Sequence, residues 1–204
     1  MQTRRCGDTG LLVELGDNAE VHALAGAVRA AVIPGVVELV PALETLLVVY
    51  DPRRTDADDV AAGVRELPRG PAPIGDEGEV EVPVRYDGED LAFVARHTGL
   101  SEREVVAAHT GMPWRVAFCG FAPGFSYLVG GDPRLEVPRR DESRLAVPPG
   151  AVAIAGRFAS VYPRRSPGGW QLLGHTELSL WDQDAEPPAL LLPGRRVRFV
   201  EVGR

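Results

Sequence analysis

Aromatic, glycine and proline residues crowd the segment Val116 to Gly131, which holds four aromatics, four glycines and one proline. Phe121 and Phe125 flank Pro123-Gly124, so a tight loop there projects two rings to neighbouring points and leaves backbone groups open between them. Two readings follow: the wall of a small-ligand or peptide pocket, or a barrel corner whose rings fill the core. A second cluster, Pro138-Arg139-Arg140-Asp141-Glu142-Ser143-Arg144, leads into the stiff turn Val147-Pro148-Pro149-Gly150. Arginines this close repel one another, and they either point into solvent or share an anionic partner. In the third cluster, Ser166-Pro167-Gly168-Gly169-Trp170-Gln171, two glycines open the backbone directly ahead of a large ring. The candidate binding residues are thus Phe121, Pro123, Gly124, Phe125, Arg139, Arg140, Arg144, Pro148, Gly168, Gly169, Trp170 and Gln171.

No conventional catalytic set accompanies them. Ser126 and Ser166 lack a nucleophile-elbow context, and the histidines have neither H-E-x-x-H spacing nor a neighbouring cysteine cluster. His97 and His109 each precede Thr-Gly at the end of a predicted helix, where an imidazole meets unpaired carbonyls and the negative end of the dipole. His175, at a predicted strand end, reads either as an acid or base or as a turn histidine. Cys6 and Cys119 form neither a disulfide framework nor a metal-ligand spacing, and no metal site is expected.

The chain contains no lysine, so Schiff-base chemistry and a Walker-type phosphate loop are excluded within it. Any phosphate or carboxylate bound here is held by arginine forks, backbone N–H groups or a partner's residues. A net charge of −7 argues against a nucleic-acid partner. The N-terminus lacks an apolar signal core and no run approaches the ~20 apolar residues of a membrane span. The chain is expected in the cytoplasm.

The elements that must position these residues fall into two sets. The first reads as a strand at Leu11 to Leu15, then a helix capped by Asp17 and Glu20 with Val21, Leu24, Ala25, Val28, Ala31 and Val32 on one face. Strands Val36 to Val40 and Thr45 to Tyr50, a helix from near Thr55 to Pro68, and a strand Glu79 to Val84 follow. That order is a split βαβ or ferredoxin-like arrangement. Pro68 to Gly78 reads as a long exposed loop, and the domain boundary is expected after Val84, dividing residues 1–85 from 86–204. In the second set, two short helices begin at Leu91 and at the capping box Ser101/Glu104. Short apolar runs then start at Val116, Ala151, Phe158, Trp170, Glu177, Ala189 and Arg196, separated by Gly, Pro and Asp clusters. This is the pattern of a closed antiparallel barrel or sandwich.

Nearly the whole chain resembles the family of 5-oxoprolinase B subunits, also called allophanate hydrolase subunit 1 and including the kinase inhibitor KipI. The resemblance rests on Gly7-Asp8 with Leu11-Leu12-Val13-Glu14, on Pro34-Gly35-Val36 running through Val40-Pro41-Ala42 to Leu46-Leu47-Val48, and on Tyr50-Asp51-Pro52. Later it rests on Gly120-Phe121-Ala122-Pro123-Gly124-Phe125 with Tyr127-Leu128, and on Asp132-Pro133-Arg134-Leu135 with Pro138-Arg139-Arg140. Val147-Pro148, Ile154-Ala155-Gly156, Tyr162-Pro163 and Ser166-Pro167-Gly168-Gly169-Trp170 complete it. The resemblance implies an α+β chain, a ferredoxin-like domain followed by a cyclophilin-like antiparallel β-barrel. It further implies a non-autonomous component of a hetero-oligomeric hydrolase. With a C subunit (KipA-like, allophanate hydrolase subunit 2) and an A subunit, such a component opens 5-oxoproline to L-glutamate, with ATP as co-substrate and magnesium as its counter-ion. Arg139, Arg140 and Arg144 would hold phosphate or the substrate carboxylate, Phe121, Phe125 and Trp170 would wall the ring, and His175 is the catalytic candidate. The family also contains regulators that dock on a sensor histidine kinase, and related domains act in allophanate or urea-type amidohydrolases and carboxyltransferases. His175 stands where many relatives carry an arginine, Ser126 where a small residue or proline is frequent, and Cys119 where an aliphatic is common.

Overall fold

The computed structural model describes residues 1–68 and 78–203, and the chain divides into two units, Met1–Asp76 and Glu77–Arg204. Most of the stretch read as a long loop lies at 69–77, outside the described residues. Among those described, no helix is long and apolar enough to cross a membrane.

The first unit comprises β1 (Gln2–Cys6), β2 (Gly10–Glu14), α1 (Asn18–Ala31), β3 (Val36–Pro41), β4 (Thr45–Tyr50) and α2 (Ala57–Glu66). Helix α1 starts where Asp17 accepts from Glu20 N at 2.8 Å while the Glu20 carboxylate accepts from Gly16 N. It buries Val21, Leu24, Ala25 and Val28, whereas Ala31 and Val32, expected on the same face, are exposed at the helix end, where Val32 is the left-handed C-cap at φ 48°. Asp56 caps α2 by accepting from the N–H groups of Asp58 and Asp59. The sheet order is β1-β2-β4-β3, with β4 antiparallel to both neighbours, so β2 and β3 run parallel and form the expected split βαβ. The fourth place differs from expectation. It is taken by β1, which pairs with β2 as a hairpin, and not by Glu79 to Val84. Four of the five β1 residues are exposed, so the strand lacks the alternation that would announce it.

The second unit begins with β5 (Glu79–Val84), which runs parallel to the last strand, so the boundary falls between Asp76 and Glu77 instead of after residue 85. The reason is burial: Val82 and Val84 are fully covered in one cluster with Val197 and Phe199. Then come α3 (Leu91–Thr98), α4 (Glu102–Gly111), β6 (Trp114–Cys119), β7 (Ser126–Gly130), β8 (Arg144–Val147), β9 (Ala151–Ala155), β10 (Phe158–Val161), β11 (Ser166–Gly168), β12 (Gln171–His175) and β13 (Arg196–Glu201). The capping box Ser101/Glu104 is present at the start of α4.

Seven strands form one sheet in the order β12-β9-β10-β7-β6-β13-β5, while β8 and β11 make a separate ribbon. Its two edges meet where Arg85 and His175 exchange both backbone N–H···O bonds at 2.9 Å, nearly closing a barrel. Two stretches read as strands, Glu177 to Trp181 and Ala189 to Leu192, are irregular and share a single bridge, Trp181 to Ala189. Leu180 and Leu191 are nonetheless buried, which accounts for the apolar signal without a ladder.

Candidate functional site: a ring cluster and an arginine knot on the barrel wall

Strand β9 is buried on both faces. Val152 and Ile154 belong to the barrel core, whereas Ala151, Ala153 and Ala155 face outward beneath Phe125, Tyr162 and Trp170. Three alanines leave the height that large rings need. Phe125 is the hub, with edge-on contacts to Phe121, Tyr127, Tyr162 and Trp170 at centroid separations of 5.2–5.7 Å. Tyr127 in turn meets Trp170 edge-on and stacks on Phe118 at 4.3 Å.

In the Phe121–Phe125 loop the two rings part company, and only Phe125 follows the barrel-corner reading. Phe125 is 2% exposed and fills the core, whereas Phe121 is 60% exposed. Phe121 is held at φ 69°, a left-handed conformation uncommon for a non-glycine residue. Gly124 is required where it stands: its φ is 77°, and a Cβ would come within 2.8 Å of Trp181 Cβ and 3.1 Å of the Leu180 carbonyl.

The arginine cluster is organised by a residue the sequence did not single out. Asp90 occupies the N-cap position of α3, yet its side chain makes no cap bond, and the residue is 4% exposed. Its carboxylate turns to the free edge of β12, where Oδ2 accepts from Leu172 N at 2.7 Å as a neighbouring strand's carbonyl would. The same carboxylate accepts from Arg140 Nη1 at 3.0 Å and from Arg144 Nη2 at 2.9 and 2.7 Å. Arg144 also reaches Glu89 and the Trp170 carbonyl. Two guanidinium groups are thereby matched by two carboxylates, and the shared anionic partner anticipated for the cluster is internal to the protein.

Further bonds bolt the arginine segment to the ring segment. Arg140 N donates to the Gly169 carbonyl at 2.8 Å, and the buried Gln171 amide donates to the Pro138 carbonyl at 2.9 Å. Gly168 and Gly169 are small for a reason: a Cβ on Gly168 would collide with the Tyr162 ring, and one on Gly169 would lie 2.9 Å from Ser143 Oγ and 3.6 Å from Arg139 Nη2. Arg139 thus lies beside this segment, and among the described residues it has no hydrogen-bond or ion-pair partner. Burial pushes the Tyr127 and Tyr162 hydroxyls up from their ordinary pKa, while the positive charge of Arg139 acts on both in the opposite direction. Pro148 and Pro123 are exposed.

His175 pairs with Ala151 in the ladder, and the pleat puts it on the same face as Ala151, Ala153 and Leu172. Its Nδ1 lies 2.8 Å from Asp87 Oδ1, with both side chains about half exposed. An imidazole oriented by a carboxylate in this way keeps its other nitrogen for proton transfer. His109 does not turn to the unpaired carbonyls of its helix end as expected. It is fully buried, 2.7 Å from the Tyr86 hydroxyl, packed on Phe199 and Trp114, and burial holds its pKa down at about 3. Cys119 and Ser126 are cross-strand partners that both donate to the Leu191 carbonyl, so the two sequence departures are one local adaptation.

Sequence reasoning missed Asp87, Asp90, Tyr127 and Tyr162. Asp90 had no local signal, since its partners lie 50, 54 and 82 positions away. For Tyr162, the unbroken apolar run Ala151 to Ala155, to which its N–H donates at Ala151, was the available hint.

Comparison with known proteins matches residues 1–191 to the model of the carboxyltransferase domain, subdomain C and D. The chain is 40% identical to the 5-oxoprolinase B subunit of Escherichia coli O157:H7, over 98% of this chain and 97% of that one. Identity to the 5-oxoprolinase B subunit of Bacillus subtilis (strain 168) is 36%, over 98% of this chain and 92% of that one. Among solved structures, TTHA0988 in space group P212121 superposes with a TM-score of 0.83 at 40% identity, covering all of this chain. The chain spans 41% of that protein's length.

Proposed function

The chain belongs to the carboxyltransferase family of subdomains C and D, and from that premise we propose that it is the B subunit of an ATP-dependent 5-oxoprolinase, opening 5-oxoproline to L-glutamate with release of ADP and phosphate. The near full-length match to two curated proteins of that name carries the reading. A component of this kind implies companions, and those fitting the role are a C subunit and an A subunit that complete a shared site.

The geometry is consistent with a chain that contributes part of such a site. Ring opening needs a lactam carbonyl activated toward attack by one positioned water, with competing solvent excluded. Phe121, 60% exposed, and the partly exposed Tyr127 offer ring surface to a five-membered ring, whereas Phe125 and Trp170, expected to wall it, are buried at 2% and 8% exposure and only back those two rings. His175, steadied by Asp87, serves as the group that takes a proton from the attacking water or returns one to the departing nitrogen. A triphosphate needs several free donors, and Arg140 and Arg144 are committed to Asp90. These residues do not fit ATP, so the nucleotide and its magnesium belong with the partner proteins.

The test is glutamate release from 5-oxoproline with ATP, comparing this chain alone, the partner proteins alone, and the full assembly. Release from the full assembly only is expected. A verified, folded assembly without release would move the weight to another amide substrate or to kinase regulation.

A further inference from the structure

We infer that Arg139 is the anion contact of the ring cluster, and that the group it takes is a single carboxylate on a small ring, not a phosphate chain. The inference deepens the 5-oxoprolinase reading, and it rests on that reading only for the identity of the ring.

Three observations carry it. The first is charge. Within this knot Arg140 and Arg144 face Asp90 and Glu89, so two positive charges meet two negative ones, and the segment's one remaining guanidinium is Arg139. In a chain of net charge −7, with Asp141 and Glu142 close by in sequence, Arg139 still has no carboxylate partner among the described residues. The second is anchorage. The backbone on either side of Arg139 is fixed by the Gln171–Pro138 and Arg140–Gly169 bonds, and Gly169 leaves the space beside Nη2 free of a side chain. Arg139 is exposed, and a backbone held at both neighbours limits the positions its guanidinium can reach. The third is the surroundings. Gly169, whose Cβ position lies 3.6 Å from Arg139 Nη2, directly precedes Trp170 of the ring cluster, and the positive charge of Arg139 opposes the larger upward effect of burial on the Tyr127 and Tyr162 hydroxyls of the same cluster.

A planar guanidinium fork matches a carboxylate through two parallel hydrogen bonds. An aromatic wall favours an apolar ring body and disfavours any further unpaired charge. One cation beside such a wall therefore selects a ligand with one negative charge and a compact ring, whereas a triphosphate would leave most of its charge uncompensated. Arg139 is a specificity-determining residue in this scheme, and Asp90 is the positioning residue that removes the two competing cations.

The experiment is steady-state kinetics of the full assembly with wild-type chain, Arg139→Ala and Arg139→Lys, varying 5-oxoproline and ATP separately. Loss of a charge-assisted pair is expected to raise KM for 5-oxoproline in Arg139→Ala by roughly 10- to 100-fold. KM for ATP and the unfolding midpoint stay at wild-type values, and Arg139→Lys recovers part of the loss. An unchanged KM for 5-oxoproline, or a rise in KM for ATP, overturns the inference. Ligand-detected NMR on the same assembly uses 5-oxoproline, pyrrole-2-carboxylate and uncharged 2-pyrrolidinone. Arg139-dependent binding of a ring carboxylate in an assembly that releases no glutamate would sustain the inference while sinking the 5-oxoprolinase reading. Binding of neither carboxylate, or equal binding of 2-pyrrolidinone, would sink the inference itself.

Discussion

Replacing Asp90 by asparagine should strike the most heavily used side chain in the second unit. The carboxylate is 4% exposed and accepts from Arg140, twice from Arg144 and from the backbone of Leu172. Asparagine keeps the shape, removes the charge, and turns one acceptor into a donor facing N–H groups. Arg144, whose side chain is 14% exposed, would be left with Glu89 and a long contact to the Trp170 carbonyl. Breaking one partner of a buried pair costs about 3–5 kcal/mol. For a unit of this size that corresponds to a fall in Tm of roughly 10–20 °C. The three tryptophans, Trp114, Trp170 and Trp181, all lie in the second unit, so their fluorescence during urea unfolding follows that unit alone. Asp90→Asn should shift the midpoint without changing the slope. Neutralising the whole knot, with Arg140→Gln and Arg144→Met added, should recover most of the loss, because no buried charge is then left unpaired. A loss below about 1 kcal/mol for Asp90→Asn alone would mean that water already reaches the knot, and the argument that Asp90 silences two arginines would fall.

His109 predicts an acid dependence. Burial holds its pKa at about 3 in the folded chain, against about 6.5 when unfolded. The unfolded state takes the proton first on acidification, so this contribution to stability is complete above about pH 6.5 and declines toward pH 3 by about 1.4 kcal/mol per pH unit. His109→Gln should flatten that part of the stability profile, and an unchanged slope would assign the acid sensitivity to other groups. The two thiols should separate by reactivity. Cys6 is exposed, whereas burial raises the Cys119 thiol and opposes its ionisation, with a smaller contrary effect from Ser126. A thiol reagent should modify Cys6 promptly and Cys119 only on unfolding, as read by peptide mapping; prompt labelling at Cys119 would contradict its placement at the end of β6 against Ser126 of β7.

Local chemistry was legible in the residues themselves. Asp17 and the pair Ser101/Glu104 announce their helices because capping acts within four residues, and spacing marks the buried faces of α1 and α2 except at the end of α1, where Ala31 and Val32 are exposed. The resemblance of the Gly120–Phe125, Pro138–Arg140 and Ser166–Trp170 segments was enough to indicate the family. Pairing across long distances was not legible. Whether Glu79–Val84 joins the first sheet or the second depends on which unit offers a strand edge and a buried slot for Val82 and Val84, and β13 lies more than a hundred residues further on. Strand β1, almost wholly exposed, is stabilised by backbone bonds to β2 that any sequence can make. The same separation decided the site. Sequence placed three arginines together and gave each the same standing, because like charges in a row carry no mark of which will be compensated. Only the fold, by bringing Asp90 to the edge of β12, pairs two of them and leaves Arg139 beside the rings.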